Sequence, residues 1–163
     1  MKTKNIITFF LVLIALFGLM WWARPAQTSV STPNSRGETS RSLMTAEKLY
    51  DFGTISMANG NVEKLFEVTN STNENIVVET VATSCMCTTA YLESASGEKG
   101  PFGMPGHGGG ATKANEIIKA GESRTIRVVY DPNAHGPAGV GQIDRFVELT
   151  DSSGGTLQLE IKE

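Results

Sequence analysis

Seven short runs of alternating or β-branched residues, each cut off by a turn signal, constrain this chain more than any other feature. They lie at Lys48 to Ile55, Val62 to Thr69, Asn75 to Ser84, Thr88 to Leu92, Ser123 to Tyr130, Gln142 to Leu149 and Thr156 to Ile161. A strand that buries one face alternates with a period of two, whereas a helix needs apolar residues three and four apart. No convincing helical period follows the N-terminal segment, so the expected fold is all-β, a single antiparallel sandwich of about seven strands. The punctuation agrees. Ala58-Asn59-Gly60-Asn61 supplies residues able to take positive φ in a hairpin, and Asp151-Ser152-Ser153-Gly154-Gly155 closes the last one. Leu65, Ile76, Val78, Ile126, Val128, Val147 and Leu149 are the expected core.

Three parts are expected. Lys2 and Lys4 precede an apolar run from Ile6 to Ala23. At about 1.5 Å per residue that run spans most of a bilayer core of roughly 30 Å. Candidate cleavage points after Ala23 or Ala26 put Trp21 or Arg24 where a small residue is needed, which predicts an uncleaved anchor. The basic N-terminus stays inside, so residues 1–25 form a single-pass segment and the rest is extracytoplasmic. Residues 26–42, rich in Ser, Thr, Pro and Asn, make a tether whose ordering little apolar surface would offset. Residues 43–163 make one domain. A formal charge of −3 without a basic cluster gives no footprint for nucleic acid.

The only two cysteines stand in Ser84-Cys85-Met86-Cys87-Thr88. On a strand they would share one face with Cα atoms roughly 6.5 Å apart, which favours two thiols over one bridge. A bridge would also close too small a loop to stabilise the fold much. Between Glu93 and Ala114 glycine recurs at 97, 100, 103, 106 and 109, and residues 94–114 are expected to form a long flexible loop. That loop carries Met104 and His107. Thiolate, thioether and imidazole donors select Cu(I), or less well Zn(II), so Cys85, Cys87, Met104 and His107 form a candidate copper site. Thiol redox chemistry is a weaker expectation, because the pair is not Cys-x-x-Cys and the sequence shows no adjacent cation to stabilise a thiolate. Hydrolase chemistry finds little support: no Gly-x-Ser-x-Gly or phosphate loop exists, and His135 reads as a turn residue. Asn70-Ser71-Thr72 matches a glycosylation sequon.

Asp51-Phe52-Gly53-Thr54-Ile55, Phe66-Glu67-Val68-Thr69-Asn70, Ser84-Cys85-Met86-Cys87-Thr88, Gly121-Glu122 and Val128-Val129-Tyr130-Asp131-Pro132 occur in the order found in the bacterial domain-of-unknown-function family 1573. The chain resembles that family from Ala46 to Ile161. The resemblance implies an exported Ig-like sandwich, similar to the ASPM, SPD-2 and Hydin group, and implies no particular activity. Two departures stand out: Ala120-Gly121-Glu122 replaces Pro-Gly-Glu, and the glycine-rich insertion is long for the family. The expectation is a non-enzymatic module that binds a protein partner or supports a surface assembly. The alternative is copper binding.

Overall fold

The computed structural model describes residues 42–163 apart from 95, 108, 109 and 111, so the anchor and nearly all of the tether lie outside the described residues. Among those described, no helix is long and apolar enough to cross a membrane. Among the described residues ten strands form two five-stranded sheets packed face to face. The first sheet holds β1 (Leu43–Met44), β3 (Val62–Asn70), β8 (Ser123–Tyr130), β5 (Thr88–Ser94) and β6 (Gly97–Phe102), in that spatial order. The second holds β2 (Leu49–Asp51), β10 (Thr156–Lys162), β9 (Asp144–Asp151), β4 (Ile76–Thr83) and β7 (Lys113–Ile118). All pairings are antiparallel except β2 with β10.

Alternation places the core between the sheets. In β8 Ile126, Val128 and Tyr130 point inward, and in β10 Leu157, Leu159 and Ile161 do. β4 buries both Val78 and Val81, three residues apart, because a register shift between Val78 and Thr80 resets the phase. Each such side chain contributes about 1.5–3 kcal/mol by leaving water. Leu65 corrects the expected core: it is 52% exposed, because Phe66 and Val68 occupy the inner face of β3 and the two-residue period sends Leu65 outward.

The glycine-rich segment is a second correction. It is no continuous loop, since β6 occupies 97–102 and β7 begins at 113. Gly100 lies so close to β5 that a Cβ there would sit 3.0 Å from both the Ala90 carbonyl oxygen and the Tyr91 ring. Glycine at this position serves strand packing.

Polar groups fasten the ends. Buried Asn70 donates from Nδ2 to the Glu74 and Ile118 carbonyls at 2.7 and 2.9 Å, while its Oδ1 accepts from the Thr72 N–H at 2.9 Å. The sequon asparagine is thus a structural clamp with no free amide. Buried Asp151 accepts from the Ser153 and Gly155 N–H groups and from the Ser42 hydroxyl, joining the first described residue to the β9–β10 turn. At the opposite end lie the β4–β5 turn, the β8–β9 connection and the C-terminus, where Glu163 N–H donates to the Ile143 carbonyl.

Candidate functional site

Cys85 and Cys87 sit in the turn that carries the chain from β4 to β5, and so from one sheet to the other. The Thr88 N–H donates to the Cys85 carbonyl at 3.1 Å, and the Thr83 hydroxyl donates to the same oxygen at 3.0 Å. This fold draws the two Cα atoms to 5.2 Å, and the sulfurs are joined in a disulfide. The expectation of two separate thiols is corrected for a simple reason: it assumed extended backbone, and the backbone here turns. Neighbouring strands brace the turn. The Asp131 N–H donates to the Cys87 carbonyl at 2.9 Å, and Ser84 and Phe146 exchange two bonds of 3.0 Å.

The two sulfurs are not equivalent. Cys87 is 2% exposed and belongs to the core, whereas Cys85 is half-buried. Cys85 Sγ accepts from the Cys87 N–H at 3.2 Å and lies 3.3 Å from Nε2 of His135. Cys87 Sγ accepts from Nε of Arg145 at 3.4 Å and lies 3.7 Å from the Thr88 hydroxyl. Among the described residues no carboxylate pairs with Arg145, whose Nη1 donates to the Asp144 carbonyl at 2.8 Å. A cation therefore does stand beside the pair, contrary to the sequence expectation.

His135 comes from the turn after β8. Asp131 Oδ1 accepts from the Asn133 N–H, and the Gly136 N–H closes on the Asn133 carbonyl. Gly139 then packs so closely that a Cβ on it would lie 2.9 Å from His135 Cβ, which makes its lack of a side chain a condition of the ring's placement. His135 and Arg145 both line an open cleft of about 440 Å³ whose lining includes neither cysteine. Burial pushes the nearby Tyr130 phenol up from its ordinary pKa, with the Glu163 charge adding to the effect.

The donor atoms of Cys85, Cys87 and His135 lie within 4.8 Å of one another, and His107 is not in that group. Met104 and His107 line a second cleft, of about 320 Å³, with Met86 and Tyr91 and with neither cysteine. The structure therefore brings His135, and not Met104 or His107, to the cysteines. His135 and Arg145 lie 50 and 58 residues from the sulfurs they meet, and no local spacing announces such contacts.

The family model described as "Protein of unknown function (DUF1573)" matches residues 43–103, which include both cysteines. That match is shorter than the Ala46 to Ile161 stretch suggested by the order of motifs. Among solved structures, the chain is similar to a protein of unknown function from Porphyromonas gingivalis W83, with 14% identity and a TM-score of 0.55 over 81% of this chain and 50% of that one. The chain thus spans half the length of that protein, and at this identity the likeness concerns the fold alone. PapD-like domain 7 of human CEP192 follows at 11% identity and a TM-score of 0.45, over 85% and 94% of the two chains. The periplasmic chaperone SfaE follows at 11% and 0.35, over 74% and 56%. No curated protein matches the chain.

Proposed function

We propose that this chain is a tethered, extracytoplasmic sandwich module that holds a protein partner and does not turn over a substrate. The supporting observation is the free side of β3. That strand meets β1 only at Thr69 and Asn70, so among the described residues 62–68 lack a strand on the side away from β8. The Asn70 N–H points to Glu122 and the Ser71 N–H to Ser42. Counting back by twos puts the N–H groups of Glu63, Leu65 and Glu67 on the free side. All three side chains are exposed.

An extended partner segment with alternating basic residues would gain backbone bonds there and opposite charge at Glu63 and Glu67. A labelled peptide of alternating lysine and valine, titrated against the full chain, tests this. Binding that disappears in Leu65→Pro, which removes a donor from the free side and none from the β3–β8 ladder, supports the reading. Binding unchanged in that variant, or absent from the intact chain, defeats it. Membrane attachment through residues 1–25 and exposure outside the cytoplasm rest on the apolar run and its basic flank. Membrane fractionation with protease shaving of spheroplasts tests both.

A second reading is favoured by the grouping of Cys85, Cys87 and His135. Once reduced, two thiolates and an imidazole suit Cu(I), with His135 in the place expected for His107. Anaerobic titration of the reduced chain with Cu(I) tests it. One equivalent retained by the wild type and lost in Cys85→Ser supports the site, and no uptake removes it.

A further inference from the structure

We infer that the Cys85–Cys87 disulfide is a thiol-exchange site, attacked at Cys85 by an external dithiol and relieved at Cys87 by Arg145. This goes beyond the partner-binding reading and does not depend on it. Three observations converge. The bridge spans a sequence separation of only 2, so it restricts the unfolded chain little and is a poor structural staple. Cys85 is a half-buried residue and Cys87 only 2% exposed, which makes Cys85 the more accessible member of the pair. Cys87 Sγ faces a guanidinium that no carboxylate neutralises among the described residues, while Cys85 Sγ faces an imidazole, and both groups line the same cleft.

A thiolate of the dithiol attacks Cys85 Sγ. The bond between Cys85 and Cys87 breaks, its electron pair stays on Cys87 Sγ, and a mixed disulfide joins Cys85 to the donor. Arg145 Nε–H, 3.4 Å from Cys87 Sγ, stabilises the departing thiolate, and a better-stabilised leaving sulfur leaves faster. The donor's second thiolate then attacks its own sulfur in the mixed disulfide, and Cys85 departs. His135 Nε2, 3.3 Å from Cys85 Sγ, is placed to pass a proton to it. The dithiol gives its two protons to solvent as it ionises, and two return, one to Cys85 through His135 and one to Cys87 from solvent. Two electrons and two protons have moved, the dithiol has become a disulfide, and this chain carries two thiols. The exchange is stoichiometric and asks for no bound cofactor.

The test uses the full chain, expressed with its own N-terminal segment and purified without reductant. It should show no titratable thiol until dithiothreitol is added and two per chain afterwards; two at the outset overturn the proposal. Arg145→Met should slow reduction by dithiothreitol about tenfold, the effect of one charge-assisted hydrogen bond, and Arg145→Lys should recover most of the rate. Equal rates in wild type and Arg145→Met overturn the role of the guanidinium. Cys87→Ser, whose remaining thiol is the more accessible one, should take up glutathione from its disulfide at least about tenfold faster than Cys85→Ser, because reactivity follows access. Equal uptake overturns the assigned order of attack. Arg145→Gln removes the charge in a different way and gives the same test should the methionine variant misfold.

Discussion

Two places in this sandwich press a cation against the core, and they resolve the cost in opposite ways. At the edge where β6 and β7 meet, Glu116 turns inward and is met by Lys99 at 2.8 Å and Arg124 at 3.2 Å, with Glu122 completing the Arg124 pairing at 2.8 Å. Charge is balanced there, and the Arg124 guanidinium is held more firmly protonated, first by Glu122 and then by Glu116. At the sulfur end Arg145 meets a neutral disulfide. A balanced cluster holds strands in place, whereas an unbalanced cation beside sulfur favours a state in which that sulfur is negative. The proposed exchange rests on that difference.

Breaking the balanced cluster should produce the largest effect. Glu116→Ala leaves Arg124 and Lys99 short of an anion at a buried position and should cost about 3 kcal/mol in urea unfolding. A loss under about 1 kcal/mol would erase the contrast. The paired variant Cys85→Ser with Cys87→Ser should cost only about 1.5 kcal/mol or less, because so short a loop gives up little entropy. Arg145→Met should change stability by no more than about 0.5 kcal/mol while altering the reduction rate, the signature of a group that serves chemistry more than folding. The smallest effect is expected at Glu122. Its carboxyl is held below its ordinary value of 4.5 by the Arg124 hydrogen bond and then by the Lys119 N–H. A lowered carboxylate contributes stability that is full above pH 4.5 and fades as pH falls through its folded value, so Glu122→Gln should flatten the acid side of a stability–pH curve.

The strands that bury one clean face, β8, β9 and β10, could be read directly, because inward and outward residues differ in kind. β3 was placed correctly but its phase was not: Leu65-Phe66-Glu67-Val68 offers two apolar faces, and Phe66 with Val68 takes the inner one. β6 was hidden by glycines that look like loop residues and in fact permit close approach, as at Gly100. β7 was hidden by Glu116, a charge on the inner face that becomes intelligible only once Lys99 and Arg124 are seen beside it. At the site, the cysteines were legible as a pair and their bond was not, since the turn that brings them together is a property of the crossing between sheets. Their neighbours arrive from the β8–β9 connection and β9, and depend on topology alone.

Ser42 hydrogen-bonds to Asp151 at one end of the sandwich, and Cys85 turns at the other. Strands of eight residues such as β8 separate those ends by roughly 25 Å. The domain is therefore its own standoff. Whatever precedes Ser42 joins at the base, and a molecule approaching half-buried Cys85 at the tip does so without crowding the point of attachment.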